Sequence, residues 1–118
     1  AANQPAVQPI KPEITYDEFE KLDLRTAKVL AAEEVKKSDK LLKLTIQVGD
    51  SQRTIVSGIR PQYTAEQMVG KTIVIVANLK PAKIRGILSE GMILAVGDAG
   101  VEALLATDAP VESGISVH

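Results

Sequence analysis

The chain has 118 residues, 45% of them hydrophobic, which suits one domain with a modest core. It has no cysteine and one histidine, His118 at the last position, which excludes a disulfide scaffold, a thiolate metal site and histidine-based catalysis. Its net charge of −1 is unevenly spread: residues 24–89 sum to +7, residues 1–23 to −3, and residues 90–118 to −5.

A basic middle between acidic ends points to a localised anion partner, because binding follows local potential more than net charge. Composition leaves a second reading open, in which the acidic ends fold back and neutralise the middle. No apolar run reaches the roughly 20 residues of a membrane span, and no signal peptide opens the chain. A cytoplasmic protein is therefore expected, with no membrane partner and no cofactor.

In chain order, residues 1–13 (AANQPAVQPIKPE) read as a disordered linker. With no initiator Met, they imply a piece of something longer or a processed chain. Thr15 and Glu18 form a capping box, which predicts a short helix over 16–22. The stretch 24–35 (LRTAKVLAAEEV) predicts a long strand, with neither face cleanly apolar, as in a strand that curves between sheets. Lys36, Lys37, Ser38, Asp39 and Lys40 make a polar turn. Leu42, Leu44, Ile46 and Val48 alternate with polar residues, the signature of a half-buried strand. Gly49-Asp50-Ser51 has hairpin chemistry, and 53–56 returns as the next strand. Thr64 and Gln67 form a second capping box before a short helix that Gly70 ends.

The run 71–79 (KTIVIVANL) predicts a strand buried on both faces. A loop over 78–91 follows, then a fifth strand over 91–97 and a C-terminal extension from about residue 98, with a last strand at 115–117. Three strands, a helix and two strands is the order of an OB-fold, a five-stranded Greek-key barrel. The expected class is therefore all-β with short helices, with the barrel domain over 14–118. Ligands of this fold lie over strands 2 and 3 and the loops joining strands 1–2 and 4–5. Those two loops are the ones richest in cations here, with Lys36, Lys37 and Lys40 in one and Lys80, Lys83 and Arg85 in the other.

Other chemistries find little support. Gly70-Lys71-Thr72 lacks the upstream glycine of a P-loop and leads into a strand, not a helix. Ser89-Glu90 has no base to activate the serine. Asp17, Glu18 and Glu20 sit on a first helical turn, where carboxylates complement the helix dipole, and no metal site is expected. Aromatics are confined to Tyr16, Phe19 and Tyr63, outside the binding strands. Contacts of cations and hydrogen bonds to folded RNA therefore fit better than a base-stacking platform.

The segments DEFEKLDLRTAKV (17–29), SDKLLKL (38–44), TIVSGI (54–59), VGKTIVIVANLKPAKIRG (69–86) and SEGMILA (89–95), in this order and spacing, carry a resemblance. From about Ile14 to Val117 the sequence resembles the tRNA-binding domain at the C-terminus of methionyl-tRNA synthetases. Similar domains also occur as free-standing tRNA-binding proteins. The resemblance implies non-catalytic tRNA binding with little sequence preference, beside a linked catalytic body, and a homodimer formed partly by the extension. Carried over by motif, the RNA-facing residues are Asn78, Lys80, Lys83, Arg85, Ser89 and Met92, with Lys40 and Lys43, and Arg25 and Lys28. Arg25 serves equally well in a structural salt bridge. Val101, Leu104 and Leu105 form an apolar patch that needs either a partner subunit or the chain's own barrel. Thr26-Ala27 stands where the family commonly has Val-Gly. A stand-alone tRNA-binding or chaperone-like protein is the alternative reading.

Overall fold

The computed structural model describes residues 9–98 and 100–118. Most of the expected linker therefore lies outside the described residues, and 9–15 has no regular structure. Strand β1 (Leu24–Glu34) is the spine of the barrel. Its first half pairs antiparallel with β4 (Thr72–Val76), from Leu24 opposite Val76 to Lys28 opposite Thr72. Its second half pairs with β2 (Leu42–Val48), ending with Glu34 opposite Leu42. The register slips between Val29 and Ala31. That bulge bends the strand and lets it serve both sides of the sheet.

The alternation read in 42–48 is the one observed: Leu42, Leu44, Ile46 and Val48 are buried, and the residues between them are half-buried. Gly49 takes φ 63° at the turn into β3 (Ser51–Ser57), a conformation that costs glycine little. The sheet order is β3-β2-β1-β4-β7, with β7 (Met92–Ile93) pairing β4 at Ile75 and Val76. Closure needs β3 to meet the chain entering β7. The Glu90 amide does this by donating to the Thr54 carbonyl at 2.8 Å, and the Thr54 amide donates back to the Glu90 carboxylate at 3.3 Å. Val29, Leu42, Leu44, Ile46, Ile55, Ile73 and Ile75 fill the interior, and Met68 of α2 (Ala65–Met68) plugs one end.

Both capping boxes are present with both of their hydrogen bonds. Helix α1 is shorter than expected, spanning Tyr16–Phe19 instead of reaching Leu22. The chain turns there because Asp23 must reach the end of β4: its carbonyl accepts from the Ala77 amide at 2.7 Å.

Two further expectations are corrected. The segment 78–91 contains a β-hairpin, β5 (Ala82–Ile84) and β6 (Ile87–Ser89). Arg85 and Gly86 turn it with φ of 54° and 79°, as two-residue hairpin loops require. The expected fifth strand is two short ones that change partners at Leu94. After β7 the chain leaves the barrel, and β8 (Ala95–Val96) pairs with β9 (Ala103–Leu104).

The expected last strand is β10 (Ser116–Val117), paired to Leu24 and Arg25. Thr26 explains its docking. This buried hydroxyl donates to the Glu112 carbonyl at 2.8 Å and accepts from the Ile115 amide at 3.0 Å. A valine there could do neither. Thr26 thus ties the tail to the barrel.

Candidate nucleic-acid interface

The β5–β6 hairpin stands off the barrel on a well-paired base. Arg53 of β3 is half-buried, and its guanidinium donates to the Ala77 carbonyl at 2.6 Å and the Glu90 carbonyl at 3.5 Å, one on each side of the hairpin. Ser89 is 4% exposed; its hydroxyl accepts from the Val56 amide at 3.0 Å and donates to the Gly91 carbonyl at 3.4 Å. The Asn78 amide bridges back to the start of the domain, accepting from the Asp23 amide at 2.9 Å and donating to the Lys21 carbonyl at 2.6 Å. Gly91 has φ 141°, and a Cβ there would lie 3.1 Å from the Val76 carbonyl oxygen. Close approach of two backbones fixes a glycine at the hinge.

The cations of the same segment are different: Lys80 stands just before β5, Lys83 lies on β5 and Arg85 in its turn. Lys80, Lys83 and Arg85 are exposed, and among the described residues no carboxylate lies within ion-pair distance of them. Lys36, Lys37 and Lys40, on the loop between β1 and β2, are in the same state. The two loops meet: Lys36, Lys43, Arg85 and Ile87 line one cleft together with Glu33 and Glu34. The two glutamates there have partners, Glu33 with Lys43 at 3.2 Å and Glu34 with Arg60 at 3.0 Å. Arg60 also donates to the Ser38 carbonyl, which holds the β1–β2 loop to the barrel. The acidic tail does not neutralise these loops through any ion pair among the described residues.

The expected site residues therefore fall into four sets. The structure brings Lys40, Lys80, Lys83, Arg85 and Met92 to the surface. Lys43 is there too, but shared with Glu33. Asn78 and Ser89 have their hydrogen-bonding groups occupied at the hairpin base, and Ser89 is buried. Arg25 pairs with Asp23 at 2.9 Å and donates to the Gly114 carbonyl at 3.3 Å, which is the structural role open to it from the start. Lys28 is exposed in a different cleft, beside Gln47, Thr72 and Glu112.

Of the expected interface patch, Val101 and Leu104 pack against the chain's own core, and the Leu104 amide donates to the Tyr63 hydroxyl at 3.1 Å. Leu105 stays 42% exposed. Arg53 and Arg60 escaped the sequence reading; a cation facing a strand neighbour gives no local signal of the distant carbonyls it holds.

Among the described residues no cluster of three or more His, Cys, Asp or Glu could hold a metal, and no helix is long and apolar enough to cross a membrane. What the surface offers is fixed positive charge on a rigid stalk and an adjoining loop, suited to a phosphate backbone.

The comparisons with known proteins agree. A family model described as "Putative tRNA binding domain" matches residues 24–116. The methionine–tRNA ligase of Chlorobaculum tepidum is 59% identical over 99 residues, which are 84% of this chain and 14% of that enzyme. Among solved structures, a MetRS related protein from Pyrococcus horikoshii superposes with a TM-score of 0.86 at 35% identity, covering 92% of this chain and all of the other. The chaperone CsaA of Bacillus anthracis superposes at 0.83 with 28% identity, covering 91% of this chain and all of that one. The chain thus spans about one seventh of the ligase it matches and the full length of the two smaller proteins.

Proposed function

The chain belongs to the tRNA-binding domain family, and on that premise we propose that it holds the phosphate backbone of tRNA without reading its sequence, on behalf of a methionine–tRNA ligase. The observation that carries this reading is the set of six exposed cations, Lys36, Lys37, Lys40, Lys80, Lys83 and Arg85, on two adjoining elements with no carboxylate partner among the described residues. Cations meant for solvent are ordinarily interspersed with acids. A stretch from Lys80 to Arg85 without one fits a polyanion. The identity to ligases supports the linked enzyme, and 14% coverage agrees with an appendage that carries none of the ligase chemistry.

Tethering tRNA near a catalytic body raises its effective concentration there. A second copy would double the attachment. The exposed Val96, Leu105, Val111 and Ile115, all in the part of the chain after β7, support a homodimer through that region. Sedimentation tests this: a dimer at micromolar concentration is expected, and a monomer at high concentration contradicts it. Binding at the site of translation would place the protein in the cytoplasm.

Competition tests the RNA reading. Unfractionated tRNA is expected to displace a single-stranded oligonucleotide of similar total charge, because folded RNA presents phosphates in a fixed array. Equal displacement in both directions would reduce the site to a generic cationic surface.

A further inference from the structure

Beside the hairpin cations lies a surface that phosphate has no use for. Leu79 and Met92, each 46% exposed, stand with Val56, Ala82 and Ile84 around a slot of about 180 Å³, and Lys80 forms its rim. Single exposed apolar residues need no explanation. Two of them framing one slot inside a cationic face do.

We propose that this slot receives one unstacked nucleobase of the bound RNA, with Lys80 meeting the phosphate beside it; the proposal rests on the tRNA reading above. Three observations carry it. First, size: at about 180 Å³ the slot is well below the roughly 300–1,000 Å³ of pockets for drug-sized ligands and suits one small ring system. Second, charge: no carboxylate lines the slot, and Glu90, the nearest acid in sequence, accepts from the Thr54 amide. An apolar peptide side chain would fit the walls but would leave Lys80 without an anion. A nucleotide satisfies both. Third, polarity: Ser57 and Ser89 line the slot; the Ser89 hydroxyl is engaged with Val56 and Gly91, and the Ser57 side chain makes no hydrogen bond among the described residues. A hydroxyl donates or accepts as needed, so it can meet the edge of any base. Aliphatic walls and one adaptable hydroxyl select for an unpaired base over a paired one, and not for its identity. RNA loops supply such bases; an RNA duplex does not.

The test pairs two RNAs with two kinds of variant. Affinities for unfractionated tRNA and for a fully base-paired RNA duplex of similar phosphate count are measured across a salt series. The double variant Leu79→Ser/Met92→Ser is expected to lose about fivefold for tRNA at every salt concentration, the low end of what one base stacked on an aromatic side chain contributes. Its salt slope should stay as in wild type, because apolar contact releases no counterions, and its duplex affinity should not move. Leu79→Ile/Met92→Leu should restore tRNA affinity, which separates loss of the slot from loss of the fold. Unchanged tRNA affinity in the serine variant, or an equal loss for both RNAs, overturns the slot. The triple variant Lys80→Ala/Lys83→Ala/Arg85→Ala keeps the two ideas apart. If it leaves the salt slope unchanged, the phosphate-binding face itself fails; if it lowers the slope while the slot variants do nothing, only the base subsite fails.

Discussion

Two sets of polar side chains at the β5–β6 hairpin are put to opposite uses. At the base, Arg53, Asn78, Ser89 and Glu90 have their groups engaged with carbonyls and amides of the chain. Lys80, just before β5, and Lys83 and Arg85 on the hairpin form no ion pair among the described residues. Apart from Arg53 of β3, both sets fall in the same run of sequence, so position along the chain does not separate them. Their hydrogen-bonding state does. A buried polar group is costly unless paired, so the base is paired and rigid. A cation aimed at a ligand is useful only if no internal acid has claimed it. The same rule sorts the whole interface: Arg25 and Arg60 are claimed, Lys43 is shared, and Lys36, Lys37 and Lys40 are free among the described residues.

This contrast can be broken by substitutions that act at the wrong end. Arg53→Ala should have the largest effect on stability, about 3 kcal/mol, since it removes a charged donor from two carbonyls flanking the hairpin. Urea denaturation reads it, and a loss below 0.5 kcal/mol would deny the base its role. Ser89→Ala should come next at about 2 kcal/mol, leaving the buried-strand amide of Val56 without its acceptor. If Ser89→Ala instead lowered tRNA affinity with stability intact, the serine would belong to the ligand. The smallest effect is expected from Lys43→Ala. Its exposed pair with Glu33 is worth less than about 1 kcal/mol, and the freed carboxylate beside Arg85 should weaken tRNA binding by about twofold through local repulsion. Isothermal titration alongside a thermal melt measures both.

How far the sequence disclosed this contrast depended on the range of each interaction. Local interactions were legible. The capping boxes at Thr15 and Thr64 and the alternation over 42–48 involve neighbours a few residues apart, and all stand as read. The strand order pointed to the barrel, and the barrel pointed to the two cationic loops. Interactions at long range were not legible. Asn78 meets Asp23 across 55 residues, and Ser89 meets Val56 across 33, so nothing beside them in the chain marks them as scaffold. The β5–β6 hairpin was hidden because its strands are three residues each, too short for an alternating pattern to show, although Arg85-Gly86 held a turn signal. The break at Leu94 was hidden because a continuous apolar run says that a strand is buried and not which partner it pairs with. Val101 and Leu104 looked like an interface for a similar reason: apolar residues in a tail do not say which surface covers them.

The salt dependence of tRNA binding, compared between wild type and Lys80→Ala/Lys83→Ala/Arg85→Ala, tests the central claim most directly. Each phosphate contact contributes about 0.7 to 0.9 to the slope of log affinity against log salt. The variant should keep wild-type stability to within about 0.5 kcal/mol, as surface substitutions do, while its slope falls by about 2 to 3 in magnitude. A slope equal to that of wild type would mean that these cations do not touch RNA, and the division between internally paired and ligand-facing side chains would be wrong.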